Sequence, residues 1–147
     1  MALASIEVKL STSTMRSLLV LVGIATFAPR ALPAAPAELL QEAAVKRVVT
    51  KWLTHTRKRE WSSMVGIAPR DWVTHNGPPA AAAAKIADYY HNVQLSSWTI
   101  RETRQSNDTE FLVVVDVESS SGPRNLMVKV IRERGKWLID PETAVIR

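Results

Sequence analysis

Three histidines, His55, His75 and His91, are the side chains of this chain best suited to proton transfer or metal ligation. Each falls on a different segment, and no two have the spacing that sets two imidazoles on one helix face. The pattern therefore predicts no metal site, and nothing else in the chain calls for a cofactor. Asp71 and His75 flank a short stretch, where an acid–base pair is conceivable; the default reading is that they are polar residues at the edges of a short element. Asp88, Tyr89, Tyr90 and His91 form a polar-aromatic cluster in which the tyrosines are expected to pack and the flanking residues to meet water. Of the five tryptophans, Trp52, Trp98 and Trp137 fall at core-facing positions. Trp61 and Trp72 fall at element ends, where an indole can line a ligand mouth.

Several chemistries are excluded outright. The chain has no cysteine, so disulfides, thiolate zinc sites, a cysteine nucleophile and an acylated lipoprotein cysteine are all absent. It holds no glycine-rich phosphate loop, no G-x-S-x-G and no H-E-x-x-H. Asn107-Asp108-Thr109 is a glycosylation sequon, which carries little weight in a bacterial-looking exported chain. The formal net charge is +5 with a pI near 9.9, but Lys9, Arg16, Arg30 and Glu7 lie in the first 37 residues. From Glu38 onward 16 basic residues face 13 acidic ones. The only basic run, Arg57-Lys58-Arg59, is the expected complement to a helix C-terminus, so no nucleic-acid partner is predicted.

The elements that must position these residues form two halves behind a leader. Ser17 to Ala28 is a twelve-residue apolar run between Arg16 and Arg30. It is too short for a comfortable membrane span and of the right length for a signal-peptide core. Ala35-Pro36-Ala37 fits the small-x-small cleavage rule. Residues 1–37 are therefore read as a leader, with Met15 as an alternative start and an uncleaved anchor as the rival. A membrane is expected only through such an anchor, and the domain over 38–147 is expected in the periplasm or outside the cell.

Glu38 to Trp61 reads as one long helix, with Val45, Val48, Val49, Trp52 and Leu53 on a single stripe. A second short helix or turn is expected over 64–68 and a short strand over 71–75. Asn76-Gly77-Pro78-Pro79 signals a turn into a helix that the alanines at 80–84 propagate to about Asn92. The rest alternates as antiparallel strands: Trp98 to Arg101, Phe111 to Glu118, Leu126 to Glu133, and Lys136 to Asp140. Turns are expected at 105–108 and 134–135, with a longer connection at 119–123. Phe111, Val113, Val115, Val117, Leu126, Val128 and Val130 make one apolar face that the helices should cover. The opposite face carries Leu112, Val114, Met127 and Ile131. Left bare, those four form an apolar patch of the kind that marks an interface, here a homodimer or a protein partner. The expected fold class is α+β, a curved antiparallel sheet of about four strands around two or three N-terminal helices.

This order resembles a known superfamily. A long helix ending in Lys58-Arg59-Glu60-Trp61 leads to a short helix, the Asn76-Gly77-Pro78-Pro79 helix start and a sheet closing on Gly135-Lys136-Trp137-Leu138-Ile139. Over roughly Glu38 to Asp140 the pattern is similar to the nuclear-transport-factor-two-like superfamily, the cystatin-like cone that also holds SnoaL-like and ketosteroid-isomerase-like proteins. The resemblance implies a cone with a pocket at its open end, whose mouth Trp72, His75, Tyr89 and Tyr90 would border. It implies a choice among isomerases or dehydratases, carriers of a small apolar ligand, dimerisation modules and membrane-anchored parts of secretion or conjugation machines. The acidic base and oxyanion donors of the isomerase branch align with nothing here, so no catalytic residue carries over. Asp116 and Glu118 fall on the outer face by alternation. The reading that follows is an exported, non-catalytic binding or assembly module, dimeric through the outer sheet face. The alternatives are a ligand-binding protein or enzyme using the cone pocket, and an anchored component of a secretion apparatus.

Overall fold

The computed structural model describes residues 36–146. The leader expected over 1–37, including its apolar core and the start at Met15, lies outside them except for Pro36 and Ala37.

Four helices precede four strands. Helix α1 (Ala37–Lys58) buries Val45, Val48, Val49, Trp52, Leu53 and Thr56, the stripe that three-and-four spacing dictates. It stops at Arg59, which turns left-handed at φ 59°. Arg59 N–H bonds Thr56 O at 3.1 Å and Glu60 N–H bonds His55 O at 3.0 Å, the paired closure of a Schellman cap. Helix α2 (Trp61–Val65) and helix α3 (Arg70–His75) are short. Helix α4 (Pro79–Tyr89) starts on its proline and buries Ala82, Ala83 and Ile86. Those small side chains let α2 pack closely against it.

Strands β1 (Leu95–Asn107), β2 (Glu110–Ser119), β3 (Gly122–Glu133) and β4 (Lys136–Ile139) form one open sheet in the order β1-β2-β3-β4. Every neighbouring pair is antiparallel. The β3–β4 hairpin turns on Arg134 and Gly135, both at positive φ (51° and 79°), the twist that suits a two-residue hairpin loop. β1 carries register shifts between Ile100 and Glu102 and between Gln105 and Asn107, so its facing pattern is interrupted where those of β2 and β3 are not.

The core lies between α1, α2, α4 and one face of the sheet. Phe111, Val113, Val115, Val117, Leu126, Val128, Val130 and Ile139 are buried there with Trp52, Leu53, Met64 and Ile86. The segment after β4 closes its end. Pro141, Ala144 and Ile146 are buried, Thr143 Oγ1 accepts the Lys129 N–H at 2.9 Å, and Asp140 N–H donates to Lys129 O at 3.0 Å.

Several sequence expectations are corrected. Residues 71–75 are helix α3, not a strand: Pro69 is its N-cap, and the Val73 N–H reaches back to Pro69 O at 3.0 Å to close the first turn. Trp61 opens α2 instead of ending α1, and Ser62-Ser63 lie inside α2. Helix α4 ends at Tyr89, short of Asn92. The turn placed at 105–108 is strand as far as Asn107, with only Asp108 and Thr109 turning. The long connection at 119–123 is a tight one, since Ser119 pairs with Gly122. Trp98 is half-buried at the core's edge, with the Arg57 guanidinium 5.0 Å from its ring centre.

Candidate functional site

The outer face of the sheet is built by alternation, because residues two apart on a strand share a face. On β2 these are Glu110, Leu112, Val114 and Asp116; on β3 they are Asn125, Met127, Lys129 and Ile131. Register sets Val114 opposite Met127, Leu112 opposite Lys129, and Ile131 between Glu110 and Leu138. The result is a diagonal apolar band. Met127 at one end of it is 59% exposed, and Leu112, Val114, Ile131 and Leu138 are half-buried. Sequence reasoning named four of these five. Leu138 was missed, although its alternation with Lys136 on β4 already put it there.

Two ion pairs border the band, and a third crosses it, because the Lys129–Glu110 diagonal cuts the Leu112–Ile131 diagonal. Arg101 Nε lies 2.6 Å from Asp116 Oδ2, Arg104 Nη2 lies 2.8 Å from Glu102 Oε1, and Lys129 Nζ lies 3.3 Å from Glu110 Oε2. Such partly exposed pairs contribute about 0–1 kcal/mol each. The Arg101–Asp116 and Arg104–Glu102 pairs define a polar rim rather than supply affinity, and Lys129–Glu110 places a paired charge inside the band. Lys129 itself stands on the same face between Met127 and Ile131, opposite Leu112.

The four residues expected at a pocket mouth are differently placed. Tyr90 is fully buried. Its hydroxyl accepts the Trp52 indole N–H at 3.0 Å and donates to the Ala144 carbonyl, and Trp61 stacks on its ring at 5.8 Å. Burial holds the phenol well above its ordinary pKa, so it stays protonated. Tyr89 is half-buried, with the Lys85 ammonium 5.5 Å from its ring centre. Trp72 packs on the core edge and buries an indole N–H that has no partner. His75 is exposed at the end of α3. None of the four lines any of the depressions near α1, α2 or the β3 edge.

The other candidates for chemistry are engaged locally. His55 Nδ1 lies 2.6 Å from Glu60 Oε2, which pins the end of α1. His91 Nδ1 lies 2.7 Å from Asp88 O. Among the described residues no group of three or more histidine or acidic side chains is arranged to hold a metal. No described helix is long and apolar enough to cross a membrane.

No known protein family and no curated protein matches this chain in sequence.

Proposed function

We propose that this chain is an exported, non-catalytic binding or assembly module of the nuclear-transport-factor-two-like kind, which self-associates through the outer face of its sheet. One observation carries the reading: an apolar band of five side chains, most exposed at Met127 at one end, bordered by two ion pairs and crossed by a third. Apolar side chains flanked by polar ones, with the charge among them already paired, fit a protein interface. A two-fold pairing of the sheet face would set the band against its own copy. The occupied hydroxyl of Tyr90 fits the non-catalytic reading, since an oxyanion donor must keep its proton available to a substrate. Export to the periplasm or beyond rests on the leader sequence.

The test is Ile131→Asp. A carboxylate placed in the band would be buried opposite its own symmetry mate, at a cost of about 3–5 kcal/mol. Self-association is expected to weaken by at least about a hundredfold, with the thermal midpoint of the monomer little changed. Unaltered self-association in the folded variant would refute the assignment of this face.

A further inference from the structure

A second surface, which meets the outer-face band at Leu138, combines charge and apolar area in another way. Between α1 and β4 lies an open groove of about 410 Å³, within the range of small-molecule sites. Arg47, Lys51 and Lys136 line it, together with Val48, Ile67 and Trp137. No acidic side chain lines it, and none of the three cations forms an ion pair among the described residues. Glu133 stands opposite Lys136 across the strands, and its carboxylate accepts the Arg70 N–H at 3.1 Å.

The apolar wall is held in place. Trp137 meets Phe111 edge-on at 5.2 Å, and the Arg132 guanidinium lies 5.6 Å from its ring centre. Ile67 is tied to the same strand, because Ile139 N–H donates to Ile67 O at 2.8 Å. Val48 comes from the stripe of α1 that packs on the core. The spacing of the two α1 cations sets them one turn apart on one side of the helix.

We infer that this groove binds a small anionic amphiphile, a carboxylate or phosphate head on an aliphatic or aromatic body. The head is held by Arg47, Lys51 and Lys136, and the body lies against Val48, Ile67 and Trp137. The occupant is a single molecule from solution and not a lipid surface, because the cations border a depression and do not form a flat basic patch.

The test is titration calorimetry of the full chain with decanoate below its micellar concentration. Decyltrimethylammonium, inorganic phosphate and phosphatidylglycerol vesicles are run beside it. Decanoate is expected to bind more tightly than either the cationic amphiphile or phosphate alone. Arg47→Glu and Lys51→Glu, both at exposed helix positions, are each expected to weaken it by about tenfold, since an exposed ion pair is replaced by a repulsion. Their thermal midpoints should match the parent, which separates a lost site from a lost fold. Equal binding of the cationic amphiphile would overturn the inference, as would undiminished binding in the double variant. Binding to vesicles without binding to monomeric decanoate would overturn it too, and so would phosphate binding as tightly as decanoate.

Discussion

Replacing Tyr90 by phenylalanine removes one oxygen and strands two buried groups. The Trp52 indole N–H and the Ala144 carbonyl both bond that hydroxyl, and Trp52, Tyr90 and Ala144 are each 0% exposed. A buried polar group left unpaired costs about 1–3 kcal/mol. Some of that is recovered because a buried hydroxyl is no longer desolvated and because the segment after β4 can shift. The expected net loss is about 2–4 kcal/mol, a large part of the about 5–15 kcal/mol that stabilises a typical domain. Urea unfolding followed by tryptophan fluorescence should show a lower midpoint at an unchanged slope. The thermal midpoint should fall by about 10–15 °C. Thr54→Ala is the control. It deletes a hydroxyl that bonds Thr50 O on a solvent-facing turn of α1, and alanine's helix propensity offsets the loss. A Tyr90→Phe loss below about 1 kcal/mol, indistinguishable from that control, would refute the reasoning.

Three further outcomes follow from particular residues. Burial holds the Tyr90 phenol above its ordinary value of 10.0, so the folded chain keeps a proton that the unfolded chain releases. Its contribution is fully present below about pH 10 and is lost above that at up to about 1.4 kcal/mol per pH unit; alkaline unfolding of Tyr90→Phe should lack this share. Thr143→Val removes the acceptor for the Lys129 N–H and should cost about 1–2 kcal/mol by denaturant unfolding. Arg134, left-handed at φ 51° in the β3–β4 turn, should gain about 0.5–1 kcal/mol when replaced by asparagine, which tolerates that conformation.

Legibility in the sequence followed the length of the repeating pattern. The stripe on α1 and the alternation on β2 and β3 each persist over several periods, and every residue assigned to those inner faces is buried. The stretch Asp71 to His75 is too short for period 2 and period 3.6 to be told apart, and it was misread as strand. β1 hid its length because its bulges interrupt alternation and because a polar end, Gln105-Ser106-Asn107, looks like a turn. Parity alone places Leu112, Val114, Met127 and Ile131 on the outer face, and it passes over Leu138. The buried role of Tyr90 was not legible, because it depends on the segment after Pro141 folding back to offer the Ala144 carbonyl. Ala144 and Ile146 two apart after a proline were the only local signal of that return. The groove of Arg47, Lys51 and Lys136 joins residues far apart in the chain, and no local pattern links them.

The central claim, that the outer sheet face is a self-association surface, is tested most directly by sedimentation equilibrium of the parent chain over a micromolar concentration series. A dimer that dissociates in the Ile131→Asp variant is the expected result. A parent chain that stays monomeric throughout the series, with no other protein partner bound, would contradict it.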